Sequence, residues 1–265
     1  MSPFDRRDVL RLAALGAAGS LTAGCAGGAA PTASVRATAA GSGRAASPSA
    51  TAAAGDAAAL PPLAPGLPFE IGSGPRTRPA VALTFHGQGD PAIATALLAE
   101  AARADARITV LAVGSWLDEQ PAMARRILDG GHELGNHTEH HLAISTMGAE
   151  QAYQEIARCA QRLKQLTGSQ GRWFRPSQAQ DCTATVAAQA RRAGYAHCLS
   201  YDLDSLDYTD PGAEAVTRTV LDAVRPGSVV SLHFGHTGTV AALPAILDGL
   251  HQRGLRAVTT SELLS

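Results

Sequence analysis

Apolar runs and amphipathic stretches alternate along the chain from about residue 76 to its end. Short apolar runs predict strands, and segments with an apolar residue every three or four positions predict helices. The predicted strands are 80–85, 107–113, 173–174, 196–201, 227–233 and 256–258, and the predicted helices are 91–103, 120–129, 148–166, 183–192, 214–224 and 239–252. Such alternation is typical of parallel strands joined by helical crossovers. The pattern therefore predicts an α/β fold over 76–265, either a layered sheet or a (β/α) barrel.

The first 75 residues have a different texture. Arg6 and Arg7 precede an apolar run over 12–23, which is too short to cross a bilayer and ends in Leu-Thr-Ala-Gly before Cys25. This pattern is typical of a twin-arginine signal over 1–25 and resembles the lipobox of bacterial lipoproteins, in which the cysteine is lipidated. Residues 26–75 are mostly Ala, Gly, Ser, Thr and Pro and predict a flexible linker. We expect an exported protein anchored by Cys25 to the outer face of the cytoplasmic membrane.

Composition and charge narrow the class of partner. The chain has 265 residues, of which 45% are hydrophobic and 17% charged, with a formal net charge of -1. This length suits one good-sized domain, which we expect to be monomeric. Because no long basic run is present, the sequence argues against a nucleic-acid partner and favours a small or neutral substrate.

Three cysteines remain beyond Cys25, namely Cys159, Cys182 and Cys198. An odd number excludes a complete disulfide framework. Cys159 shares helical spacing with apolar residues and is interpreted as a small core residue. A bridge between Cys182 and Cys198 stays open as an alternative to two free thiols.

Polar side chains follow several of the predicted strands directly. His86 follows 80–85, Arg175 follows 173–174, Asp204 lies just after 196–201, and His233 ends the strand 227–233. The carboxyl ends of parallel strands open on one face, so these side chains are expected to converge there. That face is the predicted active site.

The segment 131–141 holds four of the nine histidines. His137 and His141 are four residues apart, so on a helical turn both imidazoles would face one side and could hold one cation. His140 would point elsewhere and is interpreted as a rim residue. A polar turn with solvated histidines is the alternative interpretation.

Five motifs in order resemble those of the NodB-like polysaccharide deacetylases, which are family four of the carbohydrate esterases. Gly-His-Glu-Leu-Gly-Asn-His-Thr-Glu-His-His over 131–141 resembles the H-[ST]-x-x-H motif. The other four are 83–85 for the start of T-F-D-D-G, 173–176 for R-P-P, 204–208 for D-x-x-D-W and 231–233 for L-x-H. The resemblance covers about 79–264 and implies a distorted (β/α) barrel with fewer than eight parallel strands.

The resemblance also implies the chemistry. It indicates a metal-dependent hydrolase that removes N-acetyl groups from an amino-sugar polymer such as peptidoglycan, so the expected partner is an N-acetylated cell-wall glycan. A divalent cation, expected to be zinc although cobalt or another cation is an alternative, would be held by His137 and His141 and would polarise the acetyl carbonyl. His233 would protonate the leaving amine.

Further roles come from the same resemblance. Arg175 would be held by Asp204 or Asp207 and would orient the catalytic base. Tyr208 replaces the family's groove tryptophan and could stack on a sugar ring, with Pro176 also facing the substrate.

The first motif departs from the family pattern. His86 and Gly87 stand where the family has a catalytic Asp and a metal-binding Asp. In one interpretation, Gly87 and Gly89 allow a sharp turn that brings Asp90 back as the third metal ligand while His86 acts as the base. In the other, His86 is the third ligand and Asp90 merely caps the helix that begins at 91. Two other functions also stay open: an inactive glycan-binding lipoprotein of the same fold, and another metal-dependent amidase or esterase.

Overall fold

The computed structural model of the protein describes residues 60–265. The predicted signal, Cys25 and most of the predicted linker lie outside this range. Among the helices of the described range, none combines the length and the apolar character that a membrane span requires.

Strands and helices alternate through the described chain. The strands are β1 Glu70–Ile71, β2 Ala80–Gly87, β3 Thr109–Ala112, β4 Glu133–Asn136, β5 Trp173–Phe174, β6 His197–Leu199, β7 Leu203–Asp204, β8 Val229–His233 and β9 Arg256–Ala257. The α-helices are α1 Pro91–Arg103, α2 Gly114–Glu119, α3 Pro121–Asp129, α4 Ala149–Thr167, α5 Ala184–Arg192, α6 Ala213–Ala223, α7 Thr237–Gln252 and α8 Thr260–Leu263. Short 3₁₀ helices cover Ile144–Thr146 and Asp207–Thr209.

The strands form one parallel sheet that is open at both ends. Its order is β1-β6-β5-β4-β3-β2-β8-β7, and β9 pairs with the start of β2. Within residues 60–265 no pairing joins β7 to β1, so the sheet is a half-barrel with helical crossovers. The predicted distorted (β/α) barrel is confirmed. Eight strands lie along the sheet, where the resemblance implied fewer than eight, and the two-residue strands β1 and β7 at its ends complete that number.

The folded part begins before residue 76. Strand β1 pairs with β6, and Ile71 is only 2% exposed. The Ala64 backbone N–H donates to the Leu264 carbonyl at 2.9 Å. The prediction that 60–75 belong to a linker is therefore wrong, because this Pro-rich segment packs against the sheet without forming a long periodic element.

The register of the central strands places the site. Strand β2 is buried along its whole length and lies between β3 and β8. His86 in β2 pairs directly with His233 in β8. Across β3, Gly87 pairs with Ala112, which in turn pairs with Asn136, the last residue of β4. The ends of β2, β4 and β8 are thus at one level.

Candidate active site

Three histidines meet at the carboxyl ends of β2 and β4. Each of His86, His137 and His141 offers one ring nitrogen, and these three atoms all lie within 4.8 Å of one another. The ring centroids of His86 and His137 are 4.3 Å apart, and those of His137 and His141 are 4.9 Å apart. His86 and His137 are buried and His141 is half-buried. This group is called the histidine cluster below.

The loop after β4 brings His137 and His141 together without a helical turn. Thr138 and His141 have left-handed backbones, with φ of 68° and 55°. The Asn136 side-chain oxygen accepts from the Thr138 N–H at 2.8 Å, and the Thr138 hydroxyl accepts from the His141 N–H at 3.2 Å. These side-chain bonds stabilise the loop as Asx- and Ser/Thr-type turns do. The sequence argument from a shared helix face was wrong, although the two histidines do meet.

The tautomer of His137 leaves a lone pair facing the cluster. Its Nδ1 lies 3.0 Å from the Arg175 carbonyl, which can only accept, so Nδ1 carries the proton and Nε2 does not. That Nε2 atom is buried and has no hydrogen-bond partner within residues 60–265. Leaving a buried acceptor unsatisfied costs roughly 1–3 kcal/mol. A divalent cation would satisfy this Nε2 atom. Histidines that bind metal ions usually donate their other ring N–H to a carboxylate, a backbone carbonyl or water, as His137 does to Arg175.

The electrostatics of the cluster favour neutral rings. Burial, followed by the charges of His137 and Arg175, holds the pKa of His86 well below its ordinary value. Burial, followed by the charge of His141, does the same to the pKa of His137, and burial also lowers the pKa of His141. Metal coordination requires neutral imidazoles, so the fold keeps these ligands in the binding form.

Asp90 does not lie with the histidine cluster. It is exposed, and its side chain accepts from the Ala92 N–H at 2.7 Å as the N-cap of α1. Gly89 has a φ of 111°, and a Cβ there would lie 2.6 Å from the Gly235 Cα. The glycine turn therefore leads the chain into α1. The structure does not support Asp90 as a metal ligand, because its carboxylate is used in capping.

His86 takes part in the cluster instead of standing beside it as a separate base. The next position cannot supply the ligand that the family motif has there, since a Cβ on Gly87 would lie 2.7 Å from the Val110 Cγ1. Ser231, which the sequence analysis left without a role, places its hydroxyl 3.4 Å from the His86 Nε2.

Beside the cluster, His233 forms a pair with Asp207. The His233 Nδ1 is 2.6 Å from one Asp207 oxygen, and the His233 backbone N–H donates to the other at 2.8 Å. The Thr239 hydroxyl also donates to Asp207, at 2.7 Å. Burial alone would raise the pKa of Asp207, but the hydrogen bonds from His233 and Thr239 outweigh it and the pKa is lowered. The ring centroid of His233 lies 4.3 Å from that of His86.

Arg175 is held differently from the prediction. It is fully buried, and its Nε and Nη2 donate to the carbonyls of Leu199 and Ser200 at 2.7 and 3.0 Å. Its Nη1 has no partner in the described part of the chain, and burial lowers its pKa to about 10. The expected ion pair with Asp204 or Asp207 is wrong, because Asp207 pairs with His233 and Asp204 accepts from the Leu206 N–H at 3.0 Å.

Exposed apolar side chains border the site. Tyr208 is 48% exposed, and its ring centroid lies 5.3 Å from that of His233. Leu206, which precedes Asp207 in sequence, and Leu142, which follows His141, are 44% and 49% exposed. Tyr208 is thus exposed beside His233, and that a sugar ring stacks on it stays a prediction. Pro176 is buried, so the expectation that it contacts substrate is not supported.

Comparison with known proteins identifies the family. The family model described as polysaccharide deacetylase matches residues 73–198. A peptidoglycan-N-acetylglucosamine deacetylase from Bacillus cereus is 32% identical over 194 residues, which are 72% of this chain and 90% of the relative. This chain belongs to the polysaccharide deacetylase family. The predicted class of enzyme, a hydrolase acting on carbon–nitrogen bonds in carbohydrates, is confirmed.

Solved structures agree with the family fold. A family 4 carbohydrate esterase from Streptomyces lividans is 26% identical, with a TM-score of 0.63 over 67% of this chain and 91% of the other. A wild-type pseudoenzyme of the same family from Bacillus anthracis is 22% identical and has a TM-score of 0.71 over 75% of this chain and 70% of the other. At that identity the second likeness shows the fold alone.

Proposed function

We propose that this polysaccharide deacetylase removes N-acetyl groups from a cell-wall amino-sugar polymer with the help of one zinc ion in the histidine cluster. The observation that carries the proposal is the buried, unpartnered Nε2 of His137, which faces two further histidines and lies near the His233–Asp207 pair. The names of its relatives support the substrate class. They include the peptidoglycan-N-acetylglucosamine deacetylase of Bacillus cereus and a chitooligosaccharide deacetylase of Sinorhizobium fredii.

The choice of zinc follows from the donor atoms. Three imidazole nitrogens with no carboxylate among them form a ligand set known for catalytic zinc, and imidazole suits zinc better than it suits magnesium or calcium. When bound, the cation supplies Lewis acidity that polarises the acetyl carbonyl and lowers the pKa of water.

His233 then performs the proton transfers. Its Nδ1–H donates to Asp207, so in the neutral ring the lone pair lies on Nε2. We assign this nitrogen as the acceptor of the proton from the attacking water. The same proton passes to the leaving nitrogen as the C–N bond breaks, so the base and the acid are one residue. Asp207 holds the ring orientation and stabilises its charged form.

Arg175 and Tyr208 have supporting roles in this scheme. The buried guanidinium contributes to the lowered pKa of His86 and of His137 and thereby keeps the ligands neutral. Tyr208 provides an exposed aromatic face beside His233 on which a sugar ring can stack.

Metal removal tests the proposal directly. The full-length protein is expected to contain one zinc per chain and to release acetate from N-acetylglucosamine oligomers or peptidoglycan. Chelation should abolish acetate release and added zinc should restore it. Stoichiometric zinc without turnover on any N-acetylated glycan would favour the inactive glycan-binding alternative, and absence of both zinc and turnover would overturn the assignment.

We also propose that the protein is exported, lipid-anchored through Cys25 and monomeric. Support comes from the twin arginine and the small residues before Cys25, and from the fact that one chain supplies every side chain of the site. Cys25→Ser is expected to move the protein from the membrane fraction to the soluble fraction, because the two acyl chains of a diacylglycerol are what would hold it there. An Ala26→Ser variant is the control, and unchanged fractionation of Cys25→Ser would contradict the anchor.

A further inference from the structure

Two cysteines meet outside the histidine cluster. Cys182 lies just before α5 and Cys198 lies in β6, and their sulfur atoms are 2.7 Å apart. The Cys182 N–H donates to a Glu70 carboxylate oxygen at 2.8 Å, and Glu70 pairs with Cys198 in the sheet. Cys182 is therefore held directly over β6. Cys159 is buried in a different part of the core, so the described chain presents one adjacent thiol pair.

This cysteine pair is connected to the active site through one loop and one strand. Cys182 ends the loop that begins at Arg175, and in that loop the Gln178 side chain donates to the His141 carbonyl at 2.8 Å. Cys198 precedes the two residues whose carbonyls hold the Arg175 guanidinium. A covalent link between the cysteines would join the loop that contacts His141 to the strand that holds Arg175.

We propose that Cys182 and Cys198 form a disulfide that fixes the 175–182 loop against β6. The two sulfurs are already closer than non-bonded sulfur atoms normally rest, and both flanking backbones are held by other bonds. The Cys198 N–H donates to the Phe69 carbonyl at 2.6 Å, and the Cys182 N–H donates to Glu70. The Ser200 hydroxyl also donates to the Asp181 side chain at 2.9 Å. Oxidation would therefore require little movement, and it would close a ring across 16 positions of the chain.

The chemistry is thiol–disulfide exchange with an external disulfide oxidant, such as an oxidised dithiol protein or a low-molecular-weight disulfide. Cys182 is half-buried and Cys198 is buried, so Cys182 meets the oxidant first. Its thiolate attacks the external disulfide and releases one thiol. The Cys198 thiolate then attacks the Cys182 sulfur and releases the second. Two protein thiols are oxidised, one external disulfide is reduced, and the two protons end on the released thiols.

A second metal site made of Glu70, Cys182 and Cys198 is the competing interpretation, since their ligand atoms also lie within 4.8 Å of one another. Two sulfurs that each lie about 2.3 Å from a tetrahedral zinc ion are separated by roughly 3.8 Å. The observed 2.7 Å is shorter, and one Glu70 oxygen already accepts from the Cys182 backbone. The geometry therefore favours the disulfide.

Thiol alkylation with mass spectrometry tests the proposal on the full-length protein. After treatment with glutathione disulfide and denaturation, Cys182 and Cys198 are expected to resist alkylation and to appear in one cross-linked peptide that is lighter by two hydrogens. Cys159 should be alkylated in every sample and serves as the internal control. Reduction with dithiothreitol should free both cysteines, and Cys182→Ser should leave Cys198 free throughout.

Two physical measurements accompany the mapping. Oxidation is expected to raise the melting temperature of the wild type by roughly 5–10 °C and to leave that of Cys182→Ser unchanged. Amide hydrogen exchange over 177–181 should slow on oxidation in the wild type only. Alkylation of both cysteines after oxidation would overturn the proposal. It would also be overturned if a chelator that removes bound zinc made Cys182 and Cys198 reactive to alkylation again. Neither readout depends on deacetylase activity, so this inference and the proposed function can fail separately.

Discussion

His86→Ala is expected to lower zinc affinity by at least about 100-fold and to abolish acetate release. Loss of a residue that only supports a metal ligand already costs 10–100-fold in affinity, so loss of one of three ligands should cost more. The reason lies in the register of the sheet, which brings the ends of β2 and β4, on either side of β3, to one level and places the ring of His86 4.3 Å from that of His137. Competition with a chromogenic zinc chelator measures the affinity.

Asp90→Asn is the matched control for this experiment. Asparagine caps a helix as well as aspartate does, so the variant keeps α1 while removing the carboxylate that was the rival ligand. It is expected to retain zinc, as is His140→Ala, because the His140 ring is exposed and its Nδ1 lies 2.7 Å from Glu155. Zinc loss in Asp90→Asn with retention in His86→Ala would reverse the ligand assignment.

The same titration at several pH values tests the state of the cluster. Protons and zinc compete for the same lone pairs, and a lowered histidine pKa means that protonation begins only at a lower pH. Burial lowers the pKa of both His86 and His137. As the pH is lowered, zinc affinity should therefore stay constant down to about pH 6.5, where an ordinary histidine would be half protonated. It should decrease only below that pH.

Most of the fold was accessible from the sequence because long elements leave a periodic signal. Helix α1 was predicted to the residue, and α5 and α7 to within two residues. The elements that were missed are short. Strand β4 is four residues of mixed polarity, Glu-Leu-Gly-Asn, and is buried although it includes the carboxyl side chain of Glu133. Its carboxylate is satisfied by Trp173 and Ser261, which are distant in sequence, so local pattern could not reveal it.

The site was only partly accessible for a similar reason. The placing of His86 and His233 at one face followed from their positions at the ends of predicted strands, whereas how each side chain is used depended on its partners. Asp207 could pair with Arg175 or with His233, and only the close approach of β8 to the Asp207–Thr209 turn decides for His233. Likewise, a spacing of four residues between two histidines could not predict the left-handed backbone conformations of Thr138 and His141.

His233→Ala is expected to lower acetate release by about 10²- to 10⁴-fold, the usual scale for loss of a general acid or base, with zinc content unchanged. The imidazole lies next to the cluster, and among residues 60–265 its ring is hydrogen-bonded through Nδ1 to Asp207 alone, which leaves Nε2 available for proton transfer. Acetate production at saturating zinc, with metal analysis of the same sample, separates catalysis from binding. Asp207→Asn should also be impaired while keeping zinc, because an amide can no longer stabilise the charged ring.

A second histidine–aspartate pair in the same region provides the matched control. The His236 Nδ1 lies 2.8 Å from an Asp210 oxygen, but Asp210 is 70% exposed whereas the Asp207 side chain is fully buried. The His236 ring lies 5.9 Å from that of His233 and is not part of the histidine cluster. An exposed pair gains little from its charge, so His236→Ala should release acetate at close to the wild-type rate. Equal losses in the two variants would mean that His233 shapes the substrate groove without moving protons. Loss of zinc from His233→Ala would instead make it a fourth ligand, since its ring centroid already lies 4.3 Å from that of His86.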